Sequence, residues 1–302
     1  MKKTLWWPLA ALTSAVVLTG CGGTEPAGDT PAAPSGPAAS APAPASADDF
    51  ELVSGTAKTN DAAPGTGDWA LMQGGEPAGE QVAVSERWVQ LTGTEVGDLG
   101  RGVTNGAGLT LYRFDDDTAD PSKSTCAGDC AKKWPPVTVD PEGKVFIAGV
   151  KKSAVGFVER PDGRLQVTVG GWPVYRFAQD TKPGDSKGQG VGGTWFAVSP
   201  KGRKLEGAGK PDAPEVTEGV AAEVPAAKSA FLFSEPDFSD VAATQGVTGG
   251  ECVDVALTVK SISADGRFFV WNQAGCKGDR REFGDEGVAD LAGFDTKSIK
   301  LR

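Results

Sequence analysis

The sequence predicts a mainly β protein: a repeat-containing β module followed by a second, smaller β module, both behind a disordered tether. Three observations predict this. Segments such as LTLYRF, RLQVTVG, TWFAVS and RFFVWN alternate apolar and polar residues, the two-residue period of a half-buried strand. Gly, Pro and Asp interrupt them at short intervals, and no long segment carries a helical period. The phrase YRFDDDTADPSKSTCAGDCAKKWPPV, from Tyr112, returns as YRFAQDTKPGDSKGQGVGGTWFAV from Tyr175, and a tandem repeat buries its apolar face against its neighbour.

The N-terminus sets where these modules are expected to live. Lys2 and Lys3 precede the apolar run LWWPLAALTSAVVLTG, which stops at Cys21. A basic start, a short apolar run and small residues at the cut describe a secretory signal, here residues 1–20. The run contains Pro8 and falls short of the roughly 20 apolar residues that a spanning helix needs. Leu18-Thr19-Gly20-Cys21 resembles a bacterial lipobox. That resemblance implies that Cys21 becomes the first residue of the mature chain and carries acyl groups such as palmitate. The lipid would then anchor the protein in the outer leaflet of the cell membrane, on its extracellular face.

From Gly22 to Ala47 the chain is almost wholly Gly, Pro, Ala, Ser and Thr, a composition that buries too little apolar surface to offset the entropy of ordering it. Residues 21–64 are therefore read as lipidated cysteine and tether, and 65–205 as the first module. Residues 206–225, around GAGKPDAPEVTEG, are read as a linker, and 226–302 as the second module. The chain has 40 acidic and 30 basic side chains and no histidine, a net charge of −10, or −12 without Lys2 and Lys3. Such a field repels nucleic acid, which is excluded as a partner. Setting Cys21 aside leaves four cysteines, an even number that predicts two disulfides in an oxidising compartment.

Within the first module, Tyr112 and Phe114 lie two apart, as do Tyr175 and Phe177, so each pair faces one side of a strand. Asp117 and Asp180 fall where those strands end, each followed by Thr, a pairing suited to capping a turn. The expected role of the aromatics is packing between two related units. Tyr-x-Phe-x-x-Asp thus occurs twice, beside C-A-G-D-C, W-P-P-V, G-G-W-P-V-Y and P-G-D-S-K-G-Q-G-V-G-G-T-W-F-A-V. With these motifs the stretch from about Val96 to Pro200 resembles the actinobacterial lipoproteins that carry the secreted repeat of unknown function. The resemblance implies a location and a repeat; that family has no settled biochemical activity to lend.

Sharper chemistry fails on residue types. Gly184-Asp185-Ser186-Lys187-Gly188 fits G-x-S-x-G, but a nucleophilic serine needs a base, usually histidine, and the chain has none. Gly188-Gln189-Gly190-Val191-Gly192-Gly193 precedes a strand-like segment, whereas a dinucleotide loop opens a helix. Cys126 and Cys130 could make half a zinc site only with Cys252 and Cys276 from the other module; a local disulfide before Trp134 is the expectation. Asp115, Asp116, Asp117 and Asp120 crowd four carboxylates into six residues, which leaves two readings open, a solvated turn or a weak calcium site.

The second module repeats itself too. Phe233-x4-Phe238-x-Asp240 answers Trp271-x4-Cys276-x-Gly278, and Lys260-Ser261-Ile262 answers Lys297-Ser298-Ile299. Two such motifs resemble the βγ-crystallin fold, a pair of Greek keys, also found in small secreted protease inhibitors of actinobacteria. Asp240 and Cys276 depart from that signature of aromatic-x4-aromatic-x-Gly. Asp295 and Ser298 keep part of a crystallin-type calcium motif in the second half and Ser261 part of one in the first, so tight calcium binding is not expected. The resemblance places Cys252 and Cys276 in different halves, where a disulfide between them would tie the Greek keys together.

The expected function is non-enzymatic: a membrane-anchored cell-envelope lipoprotein that displays two β modules to an unidentified envelope protein or polymer. No cofactor is expected beyond the weak calcium. Two alternatives stay open. One is an extracellular redox relay through exposed Tyr and Trp, which lacks any visible cofactor ligand. The other is inhibition of secreted proteases by the C-terminal module, which rests on fold alone.

Overall fold

The computed structural model describes residues 50–72, 74–207, 224–241 and 243–302. The signal segment, Cys21, most of the tether and most of the linker lie outside the described residues. Among the described residues no helix is long and apolar enough to cross a membrane.

Beside two small two-stranded sheets, the main core of the first module lies between two four-stranded ones. One runs Glu51–Ser54, Lys144–Ala148, Trp88–Glu95, Arg101–Thr104, with the first three strands parallel and the last antiparallel. The other centres on Leu165–Val169, flanked by Val155–Glu159 on one side and by Trp172–Pro173 and Thr138–Val139 on the other. Val89, Leu91, Val145, Ile147, Val167 and Val169 fill the space between them. Lys144–Ala148 is buried on both faces. Val145 and Ile147 enter this core, while Phe146 points the other way against Trp88 and Ala57, the period-2 alternation of a central strand.

The tether expected over residues 21–64 does not extend that far. Glu51–Ser54 pairs in parallel with Lys144–Ile147, and Phe50 stacks on Phe157 at 3.7 Å between ring centroids. Phe50, Leu52 and Val53 supply apolar surface that the preceding residues lack, and the parallel pairing closes the edge of the sheet.

In the second module, Ser229–Phe233 pairs with Thr244–Thr248 and Ser261–Ala264. Cys252–Asp254, Ser298–Leu301, Phe268–Gln273 and Lys277–Phe283 form the other sheet in that order. Each half lends one strand to its partner's sheet: Cys252–Asp254 crosses to pair with Ser298–Leu301, and Val288 crosses to pair with Ile262. Two Greek keys with exchanged third strands are the result, closed on Leu232, Ile262, Phe268, Val270, Ile299 and Leu301. The Cys252–Cys276 disulfide spans 6.0 Å between Cα atoms and joins the two halves, and Cys126–Cys130 spans 5.3 Å.

The modules are docked to each other. Phe233, Phe238 and Ala289 bury themselves with Ala148 of the first module. Gly149 sits at φ +72°, and a Cβ there would come within 2.3 Å of the Phe238 ring, so glycine meets both the backbone and the packing demand. Gly55 N–H donates to Ser263 Oγ at 3.2 Å, and Arg101 faces the Asp237 carboxylate at 3.9 Å. The Thr56 hydroxyl donates to the Asp240 carboxylate and the Lys58 ammonium to the Asp240 carbonyl. Asp240 stands where the crystallin signature has glycine; here that position carries the contact to the first module.

Candidate functional site

The two Tyr-x-Phe-x-x-Asp motifs meet at one place, and they meet crosswise. Tyr112 and Tyr175 pair back to back: Tyr112 N–H donates to Tyr175 O at 2.8 Å and Tyr175 N–H to Tyr112 O at 2.9 Å. Each phenol then reaches the aspartate of the opposite repeat. Tyr112 Oη donates to Asp180 Oδ2 and Tyr175 Oη to Asp117 Oδ2, both at 2.7 Å. The end of each repeat is exchanged as well. Pro136 pairs with Tyr175, and Trp195–Ala197 pairs with Tyr112–Phe114.

A column of four rings fills the space between. Phe114 stacks on Trp195 at 4.2 Å, Trp195 on Trp134 at 3.8 Å, and Trp134 packs on Phe177 at 4.3 Å. Tyr112 stands edge-on to Trp134 and Tyr175 edge-on to Trp195. The Phe114–Trp195 and Trp134–Phe177 stacks cross between the repeats, whereas each tyrosine meets the tryptophan of its own repeat. Both tyrosines have no exposed surface, and Trp134 and Trp195 are nearly as buried. A relay of exposed Tyr and Trp, the premise of the redox alternative, is therefore not what these residues form.

The aspartates do more than cap the turn next to them. Asp117 Oδ1 accepts the N–H of Thr125 at 2.7 Å and its hydroxyl at 2.8 Å, and Asp180 Oδ1 accepts the N–H of Lys187 at 3.0 Å. Each carboxylate pins the far end of its loop and presents its other oxygen to a phenol. Burial pushes both carboxyls above the usual aspartate range, opposed first by the tyrosine hydrogen bonds. Burial raises both phenols as well, and the neighbouring carboxylates add to it. Gly188 N–H donates to the Tyr112 hydroxyl at 3.2 Å, and a Cβ at Gly188 would meet Tyr112 and Trp134 at 2.7 and 2.8 Å. The second repeat uses glycine there because the loop backbone itself touches the rings.

Arg160, which no sequence pattern singled out, completes the first repeat's side. Its guanidinium donates to Ser124 Oγ at 2.7 Å, Gln166 Oε1 at 2.6 Å and Cys126 O at 2.7 Å. Ser124 Oγ lies 2.8 Å from the Tyr175 hydroxyl, and since the phenol's own proton goes to Asp117, the serine donates to the phenol. The Cys126–Cys130 disulfide holds this loop, with Cys126 packed among the rings.

Asp68 and Arg176 were equally silent in the sequence. With Asn105 they line a polar cavity whose walls include Leu71, Pro135 and Val137. Asp68 Oδ2 accepts the N–H groups of Gln90 and Gly106, while Oδ1 has no hydrogen-bond partner among the described residues. Burial lifts its pKa from 3.8 to about 7, and burial lowers that of Arg176 to about 10. The folded carboxyl holds its proton to about 7 and the unfolded one releases it near 3.8. Its contribution to stability is therefore present in full below the lower value and lost as pH rises through the upper one. Between them native stability should fall by up to about 1.4 kcal/mol per pH unit from this group. Asp68→Asn should remove that share of the slope; denaturant titrations across the window that give parallel slopes for both proteins would rule it out.

The acidic run is not gathered. Asp117 is committed to Tyr175 and Thr125, and Asp115 pairs with Arg113 at 3.3 Å and Lys204 at 3.4 Å. Asp115, Asp116, Asp117 and Asp120 therefore do not converge as a calcium site. Among the described residues no group of three or more carboxylates or cysteines is placed to hold a metal. In the second module, Ser261 Oγ donates to Glu235 O and accepts Phe238 N–H, and Ser298 Oγ donates to Gln273 O and accepts Cys276 N–H. These matched serines lace hairpin to strand, and Asp295 pairs with Lys297 at 2.9 Å. Phe238 and Cys276 share a left-handed backbone, φ 56° and 57°, so Cys276 keeps the local geometry of the aromatic it replaces.

Residues 93–138 and 156–199 match the family model described as a secreted repeat of unknown function. The chain thus carries two matches to that repeat, one around each Tyr-x-Phe-x-x-Asp motif. Among solved structures, it is similar to a beta gamma crystallin from Ciona intestinalis, at 17% identity over 24% of this chain and 99% of that one, TM-score 0.22. It is also similar to the fifth crystallin domain of the non-lens protein Absent in melanoma 1, at 20% identity over 26% and 89%, TM-score 0.22. A betagamma-crystallin from an archaeon aligns at 13% identity over 26% and 100%, TM-score 0.22. The comparison with curated proteins finds no match.

Proposed function

We propose that the protein is a non-enzymatic, membrane-anchored lipoprotein of the cell envelope that holds two docked β modules outside the cell for an envelope protein or polymer to bind. The observation that carries this reading is Leu18-Thr19-Gly20-Cys21 followed by a Pro/Ala/Ser-rich segment that leads into the folded body at Phe50. The match to a secreted repeat supports the location. The burial of the repeated motif supports a scaffold over a catalyst, because its Tyr and Asp are spent on each other.

Cys21→Ser should lose metabolic labelling by palmitate and leave the membrane fraction, either secreted or retained unprocessed. A Cys21→Ser protein that still incorporates lipid would sink the anchor. Photo-crosslinking of the full-length protein in the producing cell tests the display role: a discrete adduct at module surfaces is expected, and its absence from every surface position tried would refute that role.

A further inference from the structure

The tyrosines do not need their hydroxyls to pack. Phenylalanine at both positions, with apolar residues in place of the aspartates, would fill the same space without burying two carboxylates, and such exchanges are often neutral or stabilising. The protein instead places a carboxylate oxygen 2.7 Å from each phenol and locks it there, the other oxygen being held by the N–H of Thr125 or Lys187. It also sets each phenol edge-on to one member of a tryptophan pair stacked at 3.8 Å and 1°. The column ends at Phe114, which is only partly buried. These are the parts of a proton-coupled one-electron site: a phenol, a fixed base on its hydrogen bond, and a stacked indole pair against the phenol.

We propose that Tyr112 and Tyr175 are redox sites that accept an oxidising equivalent from a high-potential one-electron oxidant at the protein surface. One electron leaves the phenol through Trp134 or Trp195 and reduces the oxidant. The O–H bond breaks, and its proton passes along the existing hydrogen bond to Asp180 Oδ2 or Asp117 Oδ2, which becomes a carboxylic acid. A neutral phenoxyl radical remains, and no charge is added to the core. Without the base the same oxidation would leave a phenol cation radical in an apolar setting, where an unpaired charge is costly. The two sites differ in their second contact. Tyr175 receives a hydrogen bond from Ser124, itself held by Arg160, and Tyr112 receives one from the Gly188 backbone.

The chain offers a clean assay because it has only two tyrosines among eight tryptophans; any tyrosyl radical comes from this site. The full-length protein is oxidised by photogenerated ruthenium(III) tris-bipyridine and followed by transient absorption and electron paramagnetic resonance. The expected result is a neutral tyrosyl radical in the native protein, lost when both Tyr112→Phe and Tyr175→Phe are present. In Asp117→Asn/Asp180→Asn its yield should fall at least about tenfold, the factor that matches about 1.4 kcal/mol in a barrier. Only tryptophanyl radical in the native protein would overturn the proposal, and so would an undiminished tyrosyl yield in a folded aspartate variant. Should that variant fail to fold, native protein is compared with the same protein in denaturant. A faster tyrosyl rise in the native state supports the proposal, and an equal or slower one overturns it.

Discussion

Tyr175→Ala in the full-length protein should cost roughly 3–5 kcal/mol, the range for truncating a buried aromatic, and should move the first module's unfolding midpoint far below the parent's. The truncation empties a site with no exposed surface and takes an edge-on neighbour from Trp195. It also strands Asp117 Oδ2, whose partner is the lost hydroxyl. Tyr175→Phe isolates that last effect. It keeps the ring and should cost about 1–3 kcal/mol, because a buried acceptor left without its donor bears its full desolvation penalty. Denaturant titration separates the two variants. A midpoint for Tyr175→Ala close to the parent would refute packing and make the motif a surface for something else.

Phe238→Ala should cost a similar amount, roughly 3–5 kcal/mol, but its effect should spread across both modules. Phe238 packs edge-on to Phe233 at 5.9 Å within its own module. It also lies over Gly149 and beneath the Arg101 guanidinium, 5.7 Å from its ring. Its loss therefore opens a cavity at the seam, where neither module can collapse without drawing back from the other. Scanning calorimetry should show the parent's transition broaden or divide, with the second module melting first. A single transition shifted by less than a degree or two would mean that the seam carries little energy.

How much was legible in the sequence depended on whether a residue took part in a period. The β character and the two repeats follow from alternation and spacing, the Cys126–Cys130 pair from proximity in an oxidising compartment, and the Cys252–Cys276 pair from the resemblance to two Greek keys. Burial of Tyr112 and Tyr175 follows from their place on a strand face. Which aspartate each tyrosine would meet does not. A two-residue period assigns a face and says nothing about the strand across from it, so Asp117 and Asp180 read as caps for their own turns. Arg160 follows the end of Val155–Glu159 and Asp68 sits in the short 3-10 helix Gly67–Ala70, where no period marks them, and most of their partners lie far along the chain. Phe50, Leu52 and Val53 are hidden for the opposite reason: the Pro and Ala run before them sets the expected composition of the whole segment. Asp240 looked like a flaw in the Greek-key signature because its partner, Thr56, lies 184 residues away.

The crosswise exchange of repeat ends has a bearing on how the chain comes to be folded. Until Asp180 has emerged Tyr112 lacks the aspartate it bonds, and until Trp195–Ala197 has emerged Tyr112–Phe114 lacks its paired strand. In the second module Cys252–Asp254 likewise waits for Ser298–Leu301. The pairings between the repeats join residues far apart in the chain, and chains rich in such contacts fold slowly. Before the second repeat is in place, the rings of the first lack the neighbours that cover them. Once the last strand closes, the same arrangement works in reverse. No single repeat can peel away without breaking the other, so the amides around Tyr112 and Tyr175 should open to solvent only with the module as a whole.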